Sequence, residues 1–564
     1  MHKYTPILII SLLIFSSELI AQNLNLEIIG SNDKETEIIK NLNYNKTHID
    51  YKSVLNEIDS LQNRVTKSGY IENSIFALTK LNDSTHLSKI HLGNKYEVIH
   101  IYFEKNQITS QSIKLITDNI FDSFFVIPFE EVENTLSFLN KDIANQGFPF
   151  TKLKLSDIKI NDENIISARL IINNGESKRG LDKIIVKGYE KFPKSYLKRF
   201  LKIKPSKTFN IDAIKNKVNS LNNLRFANQI KPPEVLFTKD STQLYLYIEK
   251  ANSNTFDGYL GFSTNENTNK LEFNGYLDLQ LNNNFNYGES LKLLYKANEL
   301  EQKKFEININ LPYILGSPIG TELELNIFKQ DSTFNTVNQK AKLFYQLNAK
   351  TRVFIGLDAI ESNNLLENTN TTQINDYNAN FYTIKYDFEN RKTDNTTFPV
   401  KSLLKVELGF GSRQFNNTNE KQTRIVSELH HIFNLNQNNS IFLRLNGALL
   451  NSKNHLENEL FRFGGINSIR GFQENSLLAT QYGVLNTEYR YRLSNSIYAH
   501  TIIDFATLNN KIDNIKENLY SFGVGFGVTT KAGLLKFNYA NGKSENQQFK
   551  LNNSKIHLSL TSVF

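Results

Sequence analysis

The chain contains no cysteine and no tryptophan, and it has a single methionine among its 564 residues. Without cysteine it can form no disulfide, no thiolate metal site and no lipid-modified cysteine anchor. Long apolar runs are also missing. The run at residues 7–15 is shorter than the roughly 20 residues of a spanning helix, and no other segment is apolar enough. These absences exclude a lipoprotein, a disulfide scaffold and a helical membrane protein.

The first residues have the pattern of a cleaved secretory signal. A basic start with Lys3 is followed by the short apolar run and by small residues that end at Ala21. We therefore expect residues 1–21 to be a signal peptide and the remaining chain to be exported, either into the periplasm or into the outer membrane. The formal net charge of +8 is modest for this length, and with an export signal it indicates a surface bias rather than a nucleic-acid partner.

Signals of catalysis are missing as well. The sequence has no H-E-x-x-H motif, no G-x-S-x-G turn and no phosphate loop. His430 and His431 are adjacent, so they point to opposite faces of a strand and cannot chelate one ion together. We predict that the protein is not an enzyme and that it uses no metal and no other cofactor.

Aromatic residues are abundant, with 40 phenylalanines and 25 tyrosines, as is typical of strands and of membrane interfaces. The mean hydropathy of −0.40 resembles that of a soluble protein. It does not exclude a membrane barrel, because alternating strands average apolar with polar residues.

The chain divides near residue 252, because helical and strand patterns alternate before it and strands dominate after it. The first part reads as three small repeats of one plan, at residues 22–105, 106–178 and 179–251. The third repeat is the clearest, with strands at 181–186, 233–237 and 243–249 and helices at 194–201 and 211–221.

From residue 252 to 564 we count sixteen candidate strands. In the second, apolar residues and Gly275 occupy one face from Leu271 to Leu281, while mainly polar residues from Glu272 to Asn282 occupy the other. A soluble sandwich would also alternate. The strands are long, however, tight turns alternate with long polar loops, and an even strand count allows closure. We therefore predict an antiparallel transmembrane barrel of sixteen strands.

Two stretches give this barrel a family resemblance. Residues 461–472 read FRFGGINSIRGF in the loop after the eleventh predicted strand, and the chain ends with the strand KIHLSLTSVF at Phe564. With residues 187–210, KGYEKFPKSYLKRFLKIKPSKTFN, they resemble the outer-membrane insertase and secretion superfamily of BamA, TamA and the two-partner transporters. The resemblance implies an α+β series of periplasmic POTRA repeats followed by the all-β barrel, and three repeats look most like TamA.

The resemblance also implies a site in the sixth loop, which folds back into the barrel lumen in this family. Its motif corresponds to Ile469, Arg470, Gly471 and Phe472. A buried guanidinium needs anionic and preferably bidentate partners. Glu488 and Asp504 lie on the lumenal face of adjacent predicted strands, so we expect both to share Arg470 and to position the loop. The alternative is an exposed arginine with two unrelated acids.

A second expected site is the seam where the first strand, 256–263, meets the last, 556–564. A weakly paired seam would offer free backbone groups to an incoming strand. The seam and C-terminal residues are Phe256, Gly258, Leu260, Phe262, Ile556, Leu558, Leu560 and Phe564. Nearby, Gly523, Gly525 and Gly527 either make room for a lumenal loop or reflect ordinary strand packing.

We therefore expect an outer-membrane factor that captures unfolded outer-membrane or secreted polypeptides and inserts or translocates them. The lipid bilayer is an expected partner, and a periplasmic partner protein stays open. A two-partner-type transporter for one dedicated client is the main alternative, although such transporters commonly carry a plug helix before their repeats and few residues separate Ala21 from the first strand here. A passive porin or receptor barrel is a third reading, which the repeats disfavour.

Overall fold

The structure is a computed structural model that describes residues 23–161, 165–175, 177–264, 271–297, 302–366, 373–392, 397–545 and 554–564. For residues 259–264 and 271–274 only the backbone is described. The predicted signal peptide at residues 1–21 lies outside the described residues.

The N-terminal part forms three small sheets, and in each sheet an early strand pairs in parallel with the last one. The strand orders are β2-β1-β5-β3 with β4 beside β5, then β7-β6-β9-β8, then β10-β12-β11. The strands are β1 (Leu24–Gly30), β2 (Thr47–His48), β3 (Ser74–Ile75), β4 (Thr79–Lys80), β5 (Thr85–His91), β6 (Val98–Tyr102), β7 (Phe124–Pro128), β8 (Lys152–Ile160), β9 (Ile166–Asn173), β10 (Lys183–Gly188), β11 (Ala227–Phe237) and β12 (Thr242–Lys250).

Helices cover these sheets, as the three-and-four spacing of their apolar residues requires. They are α1 (Asp33–Asn41), α2 (Tyr51–Lys67), α3 (Ser110–Lys114), α4 (Val132–Asn145) and α5 (Ile211–Val218), with a π-helix at Tyr196–Phe200 and 3₁₀ turns at Phe129–Glu131 and Asn219–Asn223. Helix α2 shows the rule: Asp50 caps it, and Val54, Ile58 and Leu61 are buried on one face. The helix ends before Gly69, whose φ of +100° an L side chain rarely adopts.

The predicted helices of the third repeat differ in detail from the observed ones. The predicted helix over 194–201 is present from Lys194 to Phe200, but its residues Tyr196–Phe200 form a π-helix, and Lys202 beyond its end takes a left-handed φ of +53°. The predicted helix over 211–221 is α5 followed by the 3₁₀ turn.

Sixteen antiparallel strands close into a barrel, and the predicted strand number is confirmed. The strands are β13 (Thr255–Thr264), β14 (Leu271–Asn282), β15 (Ser290–Ala297), β16 (Gln302–Leu311), β17 (Ile319–Gln330), β18 (Phe334–Asn348), β19 (Thr351–Asn364), β20 (Tyr377–Arg391), β21 (Val400–Phe415), β22 (Thr418–Asn434), β23 (Asn439–Asn451), β26 (Gln481–Arg492), β27 (Ile497–Asn510), β28 (Ile515–Thr530), β29 (Gly533–Lys543) and β30 (Lys555–Val563). A short hairpin of β24 (Phe461–Phe463) and β25 (Leu477–Ala479) lies in the loop between β23 and β26. This loop follows the eleventh barrel strand, as predicted.

The alternation of residue types follows the two faces of the barrel wall. In β26, Leu485, Tyr489 and Tyr491 are exposed on the outer face, while Glu488 and Arg490 are buried on the lumenal face. Apolar residues outside and charged residues inside are the pattern of a barrel in lipid. Among the described helices, none has both the length and the apolarity to cross a membrane.

The third repeat and the barrel belong to one compact unit, whereas residues up to Gly180 with Thr208–Ile211 form another. The third repeat packs against the short turns at the strand ends where β13 begins. The Tyr189 hydroxyl donates to Asn286 at 2.5 Å and accepts from Asn283 at 2.8 Å, both in the turn after β14. Arg225 forms an ion pair with Glu389 near the end of β20 at 3.1 Å.

Candidate functional site: loop six and the barrel seam

Loop six, residues 452–480, folds into the lumen and not away from the barrel. Ile469 is fully buried and the side chain of Arg470 is nearly so. Ile469 packs in an apolar cluster with Val484, Ala506 and Leu519 of the barrel wall. Burial of these apolar side chains holds the loop against the wall, so the polar motif that follows Ile469 has a defined position.

The structure brings Arg470, Glu488 and Asp504 together. Asp504 accepts from Nε of Arg470 at 3.0 Å and from Nη2 at 2.5 Å, and it also accepts from the Arg470 backbone N–H at 3.0 Å. Nη1 of Arg470 donates to Glu488. The other Glu488 oxygen accepts from Nε of Arg490 at 2.7 Å. Two guanidinium groups therefore balance two carboxylates in the lumen, and one pair has the bidentate geometry that fixes an arginine in direction as well as position.

Strand pairing explains why these acids meet at one arginine. β26 and β27 are neighbours, and Asn486 is directly opposite Asp504 in their register. Glu488 is two residues along on the same face, so both carboxylates point into the lumen. Asn486 adds a hydrogen bond of 2.7 Å from its amide to the Ser468 carbonyl of loop six.

Gly471 and Phe472 lie against the end of the barrel sheet. A Cβ on Gly471 would lie 2.3 Å from the backbone nitrogen of Gly542 in β29, so no larger residue fits without movement. The Phe472 ring lies over Gly542. The His557 ring in β30 is 3.2 Å from the Arg470 carbonyl. The motif thus contacts the last two strands as well as β26 and β27.

The glycines of β28 lie close to neighbouring strands, whereas Gly542 lies close to loop six. A Cβ on Gly525 would meet His500, and one on Gly527 would meet Tyr498, both side chains of the neighbouring strand β27. At Gly523 the close atom is the Tyr539 carbonyl of β29. The geometry agrees with ordinary strand packing at these three glycines, and the room for loop six is at Gly542.

The seam between the first and last strands is short. Thr255 pairs with Val563 and Phe256 with Ser562, and in the part of the chain that the structure describes no further residue pair joins β13 to β30. Asn254 and Phe564 extend this contact by two backbone hydrogen bonds of 3.0 and 3.2 Å. By contrast, β13 pairs with β14 from Thr255 to Thr264, along its whole length.

Among the described side chains, those of Thr561 and Asp257 also meet across the seam. The Thr561 hydroxyl donates to Asp257 at 2.9 Å, and Asp257 also accepts from Tyr276 in β14. Gly258 lies where a Cβ would meet the Tyr276 carbonyl at 2.5 Å. The remaining predicted seam residues with described side chains are exposed on the outer face, namely Phe256, Ile556, Leu558, Leu560 and Phe564. The side chains of Leu260 and Phe262 lie outside the described residues.

Comparison with known protein families identifies the family of this chain. The model of the Omp85 superfamily domain matches residues 283–561, and the model of the POTRA repeat, described as a surface antigen variable number repeat, matches residues 181–250. The chain belongs to the Omp85 superfamily. The resemblance seen in the sequence is therefore confirmed, and the Omp85 barrel lies in the outer membrane with its N-terminal repeats in the periplasm.

Two solved structures share the fold of this chain at low sequence identity. CdiB from Escherichia coli is 12% identical with a TM-score of 0.54, over 94% of this chain and 98% of that one. CdiB from Acinetobacter baumannii is 15% identical with a TM-score of 0.53, over 83% and 90%. BamA from Haemophilus ducreyi lacking POTRA domains 1–3 is 15% identical with a TM-score of 0.49, over 82% and 99%. No curated protein sequence matches the chain.

Loop six of this Omp85 barrel has a second anchor that sequence reasoning missed. Arg413 of β21 donates to Glu459 in the 3₁₀ turn at Glu457–Glu459 at 2.5 Å and to Glu420 of β22 at 2.8 Å. Gln422 donates to the other Glu459 oxygen at 3.0 Å. The amide of Asn458 donates to Ser362 of β19 at 2.8 Å. No sequence motif marks these residues, because the partners lie on strands that come together only when the barrel closes.

Proposed function

We propose that this protein assembles or translocates other polypeptides at the outer membrane, in the manner of BamA and TamA. The observation that carries the proposal is the seam, which is held by two residue pairs at one end. The facing backbone edges of β13 and β30 above these pairs have the donors and acceptors that an incoming strand needs to add by β-augmentation.

The wall beside the seam also supports the proposal. β29 has 11 residues and β30 has 9, whereas β21 and β22 have 16 and 17. Fewer cross-strand contacts therefore hold the wall beside the seam than hold the wall at β21 and β22, which makes the seam region easier for a client strand to enter.

The periplasmic repeats offer edges of the same kind to unfolded clients. In the second sheet β8 is an edge strand with exposed Ile158 and Ile160, and in the third sheet β11 is an edge strand with exposed Ile230 and Leu236. An unpaired edge with apolar side chains can bind an extended segment through backbone hydrogen bonds and alternate side-chain contacts. We propose that these edges capture the client and that the seam inserts or translocates it. Arg470 with Glu488 and Asp504 would hold loop six beside the seam during this step.

A reversible lock across the seam tests the proposal. Phe256→Cys with Ser562→Cys places two cysteines at directly paired positions, where the spacing suits a disulfide. The native chain has no cysteine, so no other bridge can form. We expect the oxidised variant to lower the levels of client proteins in the outer membrane or medium, measured by quantitative proteomics in cells that depend on it, and we expect reductant to restore them.

A matched control places the bridge elsewhere in the wall, with Ser412→Cys and Lys421→Cys at paired positions of β21 and β22. This bridge should have no effect, because these strands are already joined by a continuous ladder from Ser402 and His431 to Phe415 and Thr418. Normal client levels in cells with the oxidised Phe256→Cys, Ser562→Cys variant would contradict the proposal. Loss of many barrel proteins would favour a general insertase, and loss of one or a few proteins would favour a dedicated transporter.

A further inference from the structure

The third repeat carries a cluster of basic side chains beside the rim of the barrel. They surround a cavity of about 220 Å³ that is completed by Tyr313, Pro318, Tyr345 and Gln346 of the barrel. The basic cluster consists of Lys198, Arg199, Lys202, Lys204 and Lys207. All four lysines are exposed. Such a concentration of one charge on the surface attracts anionic groups.

The described part of the protein does not neutralise this cluster. Among the residues that the structure describes, no carboxylate lies within ion-pair distance of these five groups. Arg199 donates instead to the Gly316 carbonyl at 3.0 and 2.8 Å, and Lys202 to the Leu347 carbonyl at 3.3 Å. Burial, followed by the charges of Lys207 and Lys202, lowers the pKa of neighbouring Lys217, as expected where like charges accumulate.

The backbone holds the cluster in one arrangement. Lys202 and Ser206 both have left-handed φ values, +53° and +64°, which are unfavourable for residues other than glycine. One tertiary and one local hydrogen bond hold the loop in this form: the Ser206 N–H donates to the Leu181 carbonyl at 2.7 Å, and the Ile203 N–H donates to the Leu197 carbonyl in the preceding helix at 3.0 Å. Lys202, Lys204 and Lys207 therefore extend from a loop whose backbone is held in place, and Lys198 extends from the helix before it.

The position of the cluster indicates what it binds. Tyr345 and Leu347 lie at the C-terminal end of β18 and are exposed on its outer face. Leu315 is fully exposed in the turn between β16 and β17. Exposed apolar and tyrosine side chains at the end of a barrel strand mark the level of the lipid headgroups. The basic cluster borders these residues on the periplasmic side, where phospholipid phosphates would lie.

We propose that the basic cluster is a binding site for the headgroup of an anionic phospholipid in the periplasmic leaflet of the outer membrane. The lysines bind the phosphate, and the outer face of β18 packs along the acyl chains. This site would tether the third repeat to the bilayer as well as to the barrel turns. The inference does not depend on which polypeptides the protein handles.

The test is lipid binding by the full-length folded protein in detergent, followed by native mass spectrometry. The probe is phosphatidylglycerol, with zwitterionic phosphatidylethanolamine as the lipid control. The variant combines Lys198→Gln, Lys202→Gln and Lys204→Gln. We expect it to weaken phosphatidylglycerol binding by about tenfold or more, since each basic residue near a membrane surface contributes to the attraction. Arginine at the same three positions should restore binding.

A matched variant separates this site from overall charge. Lys183, Lys187 and Lys191 are exposed in the same repeat and do not border the cavity, so their change to glutamine removes the same charge elsewhere. Equal weakening by both variants, or equal binding of the two lipids, would overturn the proposal. Displacement of the lipid by equimolar inorganic phosphate would point to a free-phosphate site instead, and preferential binding of hexaglutamate would point to an acidic polypeptide. Far-UV circular dichroism checks that each variant is folded.

Discussion

The two sides of the barrel are built from the same alternating pattern but differ in how firmly they are paired. On the far side from the seam, β21 and β22 have 16 and 17 residues and pair from Ser402 and His431 to Phe415 and Thr418. At the seam, β30 has 9 residues and only its last ones pair with β13. Ladder hydrogen bonds and cross-strand contacts accumulate with length, so the far wall is the stable scaffold and the seam is the place where the sheet can open.

Loop six connects these two sides with similar chemistry. Arg413 binds Glu459 at the far wall, and Arg470 binds Asp504 and Glu488 nearer the seam. Both arginine side chains are almost completely buried. The difference lies in what surrounds them, because the Arg470 segment also contacts β29 and β30.

The largest expected effect comes from removing each arginine in turn. Arg470→Ala and Arg413→Ala each remove the guanidinium that forms an ion pair with a buried carboxylate, Asp504 or Glu459, which costs about 3–5 kcal/mol in unfolding free energy. We expect both barrels still to fold, but only Arg470→Ala to reduce client levels in the outer membrane. Denaturant unfolding followed by far-UV circular dichroism measures stability, and the proteomic assay measures function.

The lysine variants of both arginines serve as controls, since lysine keeps the charge but loses the bidentate contact. Normal client levels with Arg470→Ala would mean that the cluster has no functional role. Equal functional loss from both alanine variants would mean that function requires both anchors of loop six and that the Arg470 anchor beside the seam has no special role.

A smaller effect is expected in amide hydrogen exchange. In the described part of the chain, alternate amides of β13 and β30 beyond Thr255–Val563 and Phe256–Ser562 face the seam without a ladder partner, whereas β21 and β22 are paired from Ser402 and His431 to Phe415 and Thr418. We expect the seam amides to exchange about a hundredfold faster or more, because local opening free energies range from near zero at unpaired edges to the global value. Exchange is measured by mass spectrometry on the protein in lipid nanodiscs. Similar protection of amides at the seam and at the far wall would contradict the difference in pairing between them.

The smallest predicted effect concerns the contact between loop six and β29. Gly542→Ala would place a Cβ 2.7 Å from the Gly471 carbonyl and from the Phe472 ring, and such overpacking costs about 1–3 kcal/mol. Gly483→Ala in β26 is the matched control, because its nearest neighbour is 3.9 Å away. We expect lower resistance to denaturant for Gly542→Ala alone; an unchanged midpoint would show that loop six can shift away from β29.

Much of the architecture could be predicted because its signals are local. The period of two that alternates Leu485 and Tyr489 with Asn486 and Glu488 gives both the strand and its lumenal face. Counting such segments gave sixteen strands and located the Arg470 loop after the eleventh. The helices of the third repeat lie close to their predicted bounds, but the π-helix and the left-handed Lys202 were not predicted, since they depend on packing around them.

The candidate site shows the same division between local and tertiary information. Arg470, Glu488 and Asp504 could be named because a motif and strand alternation mark them, and the structure brings them within hydrogen-bonding distance. Glu459 and Arg413 could not, because they are separated by 46 residues and carry no pattern. Gly542 was overlooked in favour of the glycines of β28, since its role depends on the approach of a loop from elsewhere in the chain.

The sequence by itself determined the strands, their two faces, their number and the residues able to form the lumenal cluster, because side-chain alternation is a property of consecutive residues. The tertiary structure alone decided how few residues close the seam, which wall holds each end of loop six, and that five basic side chains surround one cavity at the barrel rim. These features join residues far apart in the chain, and their geometry exists only after the barrel has closed and the third repeat has packed against its turns.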